Sequence, residues 1–84
     1  MEVVIYGKEG CPKCVKAKNK ADGYGIIKDY RKASEYTEYH EGWRDDGSVE
    51  VKAWAELTSG ELPFIQIDGK FCRYEEAMKM MDNK

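Results

Sequence analysis

Val3-Val4-Ile5-Tyr6-Gly7-Lys8-Glu9-Gly10-Cys11-Pro12-Lys13-Cys14 is the stretch that decides the fold. Its first four residues are apolar and rich in β-branched side chains. They are ended by Gly7 and read as a short buried strand. Gly10 lets the backbone turn closely beside Cys11. Pro12 suits the first turn of a helix, where its missing N–H has no intrahelical partner to lose. Cys14, Val15, Ala17 and Lys18 continue that helix to about Ala21, and Asp22-Gly23-Tyr24-Gly25 breaks it. Two cysteines separated by two residues can close a small disulfide ring or hold a metal. Placed where a strand gives way to a helix, they point to redox chemistry.

Size and composition narrow the setting. The chain of 84 residues is expected to form one domain, and a domain this small buries a modest share of its surface. Net charge is −2 with no basic block, so no nucleic-acid partner is expected. No apolar run is long enough to span a membrane, and the N-terminal residues do not read as a signal peptide. The expected location is therefore the cytoplasm, where structural disulfides are uncommon. Three cysteines, an odd number, also speak against a disulfide framework.

Outward from the cysteine pair, residues 26–30 read as a second strand at a sheet edge, because Lys28 and Asp29 follow the apolar pair Ile26-Ile27. In residues 33–43, Ser34 could cap a short helix through Glu35, Tyr36, Glu38 and Tyr39, or the segment could be a polar loop. Residues 49–59 form an amphipathic helix with Ser48 as N-cap. Val51, Trp54, Ala55 and Thr58 share its inner face, Leu57 lies within reach of it, and Gly60 is its C′ residue. Residues 62–67 form a strand opened by Pro63. Asp68-Gly69 is a hairpin turn, and residues 70–73 return. Residues 74–82 close the chain as a helix with Ala77, Met78 and Met81 facing inward. The order β-α-β-α-β-β-α predicts an α/β fold with a four-stranded mixed sheet, its first two strands parallel.

Cys11-Pro12-Lys13-Cys14 after a strand, Leu62-Pro63 before a strand, and Ile67-Asp68-Gly69-Lys70 in the hairpin resemble glutaredoxin. The resemblance covers residues 2–21 and 48–81, with an insertion expected around 33–47. It implies a thioredoxin-like fold with Pro63 in the cis form, facing the cysteines. It also implies that the backbone at Leu62 pairs with a bound peptide or glutathione. Cys11 stands at a helix N-terminus, with Lys8 and Lys13 close in sequence, and both features favour its thiolate. Cys11 is thus expected to be the exposed nucleophile and Cys14 the buried resolving thiol. No tightly bound cofactor is expected. Glutathione is the implied co-substrate, and the implied partners of this monomer are disulfide-bearing proteins. The short chain also looks like bacteriophage glutaredoxins, which supply electrons for deoxynucleotide synthesis.

Three positions depart from the family pattern. Lys13 stands where dithiol glutaredoxins commonly carry tyrosine. Arg73-Tyr74 aligns with a Gly-Gly pair that lets substrate approach the backbone. Glu75 or Glu76 aligns with an aspartate that holds the glutathione amino group. Redoxins that serve ribonucleotide reductase, and are recharged by thioredoxin reductase, also lack a clean Gly-Gly pair. The substrate-binding set is therefore Lys8, Pro12, Lys13, Leu62, Pro63, Arg73, Tyr74, Glu75 and Glu76. Zinc is the competing reading: Cys11 and Cys14 have zinc-knuckle spacing, and Cys72 with His40 could complete a Cys3His site. An iron–sulfur cluster bridging two subunits through Cys11 is a further family possibility. A second close ligand pair is missing and Pro12 disfavours the cluster, so no metal is expected. Cys72 reads as a small core residue, His40 as a loop residue, and Trp43 and Trp54 as packing.

Overall fold

The computed structural model describes residues 1–37 and 48–83, and the elements run β1 (Val3–Gly7), α1 (Pro12–Gly23), β2 (Ile27–Lys32), α2 (Ser34–Thr37), α3 (Ser48–Leu57), β3 (Phe64–Ile67), β4 (Lys70–Cys72) and α4 (Tyr74–Asp82). The strands form one sheet in the order β2-β1-β3-β4. β1 runs parallel to β2 and antiparallel to β3, and β3 runs antiparallel to β4. This is the α/β fold with a mixed four-stranded sheet expected from the order of elements, in the thioredoxin-like architecture that the resemblance implies. His40, Trp43 and most of the expected insertion lie outside the described residues.

β1 is buried along its whole length because the sheet is covered on both faces. Successive side chains of a strand point to opposite sides. Val3 and Ile5 therefore join Ala17 and Ala21 of α1, Ala77 and Met81 of α4, and Ile65 and Ile67 of β3 in one cluster. Val4 and Tyr6 join Tyr36 of α2, Val51 of α3 and Phe64 in the other. A strand covered on both sides reads as a continuous apolar run, as residues 3–6 do. The helices on the first face are tied at their ends. Lys20 of α1 pairs with Asp82 of α4 at 2.7 Å, and the Tyr24 hydroxyl donates to Asp82 at 2.9 Å.

Several boundaries differ from expectation for local reasons. α1 continues through Gly23, and its stop is Gly25 at φ +68°. The Gly25 N–H bonds Asp22 O and the Ile26 N–H bonds Ala21 O, a Schellman closure with glycine in the left-handed position. β2 starts later than expected and runs on to Lys32, with a register shift opposite Val3/Val4. Ser34 is the first residue of α2 and Ser48 the first of α3, so neither stands outside its helix as a cap residue. Leu57 is 66% exposed and belongs to the outer face of α3, whereas Val51 and Thr58 are buried. The return strand ends at Cys72, and Arg73 instead takes the N-cap position of α4 in extended conformation. At the hairpin, Asp68 and Gly69 have φ of +50° and +87°, the two positive values a tight two-residue turn needs.

The end of α3 repeats the closure of α1 with one change. The Ser59 N–H reaches Glu56 O and the Gly60 N–H reaches Ala55 O. The left-handed C′ position thus falls on Ser59, at φ +56°, and the expected C′ residue Gly60 is one place further on. A side chain in that conformation carries a steric penalty that glycine lacks. Ser59→Gly should stabilise the fold by about 0.5–1 kcal/mol, raising the melting temperature by about 3–6 °C in a thermal melt.

Candidate functional site

Cys11 is the N-cap residue of α1, in extended conformation with φ −91° and ψ +109°, and Pro12 follows as the first helical residue. In that position its sulfur accepts a hydrogen bond from the Cys14 backbone N–H at 3.3 Å. A serine or aspartate oxygen does the same at an ordinary N-cap. Cys11 is not the exposed side chain expected from the sequence. It keeps 9% of its surface, whereas Cys14 has none. The turn at Gly10 and the start of α1 tuck Cys11 against the protein and leave only an edge of it accessible. All three cysteines are free thiols.

Cys14 lies on the inner side of the first turn. Burial is the main reason its thiol is pushed up to about 11. The hydrogen bond with Cys11 adds to the effect, and the Lys8 backbone N–H works against it. Gly7 is the floor of this site. A Cβ there would fall 2.5 Å from the Tyr30 hydroxyl oxygen, 2.9 Å from Cys14 Sγ and 3.0 Å from Cys14 Cβ. Glycine ends β1 because a larger residue would occupy the space of the second cysteine.

Lys13 joins the cysteine turn to the opposite wall. Its ammonium is 3.9 Å from Glu61 and 5.4 Å from the centre of the Tyr74 ring. The ion pair is exposed on both sides, so it contributes little stability and serves to place groups. Lys18 lies over the Tyr30 ring at 5.1 Å. With Lys20 held by Asp82, three of the lysines on α1 have partners.

The opposite wall is built from the turn before β3 and the start of α4. The Leu62–Pro63 peptide bond is cis, and Pro63 is buried. Pairing of β3 with β1 begins at Phe64, one residue past the proline, so the Leu62 backbone lies ahead of the ladder. Trp54, Thr58, Glu61, Pro63, Arg73 and Tyr74 line one depression. Glu61, Arg73, Tyr74 and Glu75 line an adjoining cleft of about 210 Å³. The structure thus distinguishes the two candidate carboxylates. Glu75 faces the cleft, while Glu76 acts on Cys72, whose thiol is pushed up by burial and by that carboxylate. Trp54 stacks on Phe71 at 5.5 Å while presenting an edge to the depression. Glu61, Trp54 and Tyr30 are site residues that motif reading missed. Only the spacing of Glu61 from Pro63 carries a signal for one of them.

Lys8 lies on the other flank. It lines a depression of about 320 Å³ with Ala33, Ser34, Ala55, Gly60, Leu62 and Phe64. It also lines one of about 480 Å³ that runs past Gly10 and Val15 to Lys18, Tyr30 and Lys32. Cys72 is buried with its sulfur 3.7 Å from Lys70 O and 3.8 Å from Met80 Sδ. Among the described residues, no group of three His, Cys, Asp or Glu side chains could hold a metal ion. None of the described helices is long and apolar enough to cross a membrane.

A protein-family model described as glutaredoxin matches residues 3–72. No curated protein matches the chain.

Two measurements check this geometry. Gly7→Ala should destabilise the protein by about 1–3 kcal/mol in urea unfolding, because Cys14 or Tyr30 must move. The second follows from the sign of the Cys14 shift. Its thiol ionises at higher pH folded than unfolded, so the stability it contributes is complete below about pH 9 and declines toward pH 11. The reduced protein should lose stability across that window, and Cys14→Ala should flatten the decline.

Proposed function

The chain belongs to the glutaredoxin family, whose general activity is thiol–disulfide oxidoreduction, and on that premise we propose that Cys11 is its nucleophile and Cys14 its resolving thiol. The observation that supports this most is the asymmetry of the pair. Cys11 keeps an accessible edge and receives an N–H hydrogen bond on its sulfur, while Cys14 is sealed beneath it. The cycle starts when the Cys11 thiolate attacks a substrate disulfide, and one substrate sulfur leaves as thiolate. Cys14 then attacks Cys11 Sγ, the second substrate sulfur leaves, and the chain is released with a Cys11–Cys14 disulfide. Two equivalents of a thiol reductant restore the dithiol. Glutathione is the proposed co-substrate, in the cytoplasm, since glutaredoxin potentials of about −200 to −230 mV lie within reach of that pool.

In this reading the substrate lies between the cysteine turn and the cis-proline wall. The backbone at Leu62, ahead of the ladder, pairs with its peptide groups. Lys8, Lys13 and Arg73 attract its carboxylates, and Glu75 in the cleft attracts an amino group. Pro12 keeps the turn narrow, and Tyr74 closes the floor beside Lys13. Glu76 is the less favoured of the two carboxylates, because it acts on Cys72 while Glu75 lines the cleft.

A second reading concerns the reductant, and one observation favours it. Arg73 and Tyr74 place two large side chains along the cleft where the family has bare glycine backbone. That wall suits a protein surface better than a tripeptide. The chain would then be a redoxin recharged by thioredoxin reductase, with ribonucleotide reductase as one substrate of the right kind. Recharging the oxidised protein with glutathione and its reductase, and separately with thioredoxin reductase, decides between the two.

Cys11→Ser should lower disulfide reduction by more than about a hundredfold, while Cys14→Ser should retain turnover of glutathione mixed disulfides. Equal loss in both would contradict the assigned roles. A zinc indicator added to the denatured protein should find no metal, and one zinc per chain would overturn the oxidoreductase reading in favour of a zinc-binding module.

A further inference from the structure

Tyr30 belongs to no cysteine motif, yet its hydroxyl shares a space with the Cys14 sulfur. It stands on β2 opposite Ile5, and the missing Cβ of Gly7 marks where the two polar atoms converge, 2.5 Å and 2.9 Å from that point. We propose that Tyr30 is the positioning residue of the resolving step, its hydroxyl donating a hydrogen bond to Cys14 Sγ and holding that sulfur toward Cys11 as it becomes a thiolate. This inference rests on the assignment of Cys11 as nucleophile and Cys14 as resolving thiol.

Three further observations support it. Burial and the sulfurs of Cys14 and Cys11 push the Tyr30 phenol upward, with a hydrogen bond to Cys14 contributing. The phenol therefore keeps its proton at working pH and remains a donor. The groups that act on Cys14 come from each element packed around it: Cys11 from the head of α1, and the Lys8 N–H and ammonium from the loop after β1. Tyr30 completes the set from β2, with the Lys18 ammonium over its ring. Finally, Tyr30 also lines the depression of about 480 Å³ beside Lys8 and Lys32, so the residue next to the sealed sulfur borders an open cavity.

The step balances without an outside reagent. The Cys14 thiol gives up one proton and the departing substrate sulfur takes one up, so none is consumed overall, and the Cys14 thiolate keeps the Tyr30 and Lys8 donors. It attacks Cys11 Sγ of the mixed disulfide, and the Cys14–Cys11 bond forms as the Cys11–substrate bond breaks. The electron pair leaves on the substrate sulfur, which takes a proton from solvent. The substrate sulfur is reduced and the cysteine pair is oxidised.

Stopped-flow reaction of the reduced protein with dithiobis(nitrobenzoate) separates the two events. One thionitrobenzoate is released when Cys11 attacks, and a second when Cys14 resolves. Tyr30→Phe removes only the hydroxyl. The second phase should slow about tenfold near neutral pH, with its pH midpoint moved upward, while the first phase keeps its rate. An unmoved midpoint, or equal slowing of both phases, would overturn the role. If Tyr30→Phe does not fold, replacing tyrosine throughout by fluorotyrosine is the second probe. Its more acidic phenol should move the midpoint downward, and no movement would count against the role. If the unsubstituted chain shows no second phase, the Cys14 assignment itself fails and this inference falls with it. A second phase that is equally fast with and without Tyr30→Phe removes Tyr30 alone.

Discussion

The hydrogen bond from the Cys14 backbone N–H to Cys11 Sγ is the interaction on which the site depends. It makes a sulfur the cap of α1, and so fixes the distance and direction between the two cysteines by backbone geometry alone. Everything near it follows from that placement. Pro12 can sit inside the turn because it has no N–H to lose. Cys14 must point back toward β1, and β1 must end in a residue without a side chain at Gly7. A helix start placed elsewhere would separate the sulfurs or expose the second one.

The sheet supplies the rigidity that this arrangement needs. β1 is central, buried on both faces and paired on both edges, so the loop that carries Lys8 to Cys11 leaves from the best-anchored strand of the fold. β3 lies beside it and brings the cis-proline turn to the same end, and β4 hands the chain to α4 so that Arg73 and Tyr74 complete the wall. Lys13 spans the gap between the two halves through Glu61 and Tyr74. Charge at the site is therefore mixed: Lys8, Lys13 and Arg73 are cationic and Glu61 and Glu75 anionic. Under the proposed function, that balance would match a peptide-like substrate carrying both signs.

Much of this was legible in the residues. The apolar run of β1, the Asp68-Gly69 turn and the inward spacing of Ala77, Met78 and Met81 are local patterns with strong physical causes, and the sequence of elements, with its mixed sheet, followed from them. The cysteine pair announced itself by spacing. What the sequence concealed was mostly contact between distant elements. Tyr30 read as one residue of a weak edge strand, because nothing local says that its hydroxyl meets Cys14. Leu57 was expected within reach of the inner face but lies on the outer one, since the packing angle of α3 decides such borderline positions. The exposure expected of Cys11 failed for a similar reason: a helix N-terminus was visible, while the depth at which it is set depends on the whole fold. The left-handed position at Ser59 was hidden because Gly60, one residue later, is the residue type that usually takes it.

The central claim is that Cys11 and Cys14 form one redox couple while Cys72 stays apart in the core. Peptide mapping of the protein after equilibration with oxidised glutathione, and alkylation of the remaining thiols, tests it directly. The account predicts a Cys11–Cys14 disulfide, with Cys72 recovered as an alkylated thiol once the protein is unfolded. A disulfide that includes Cys72, or glutathione held stably on Cys11 with Cys14 still free, would contradict it.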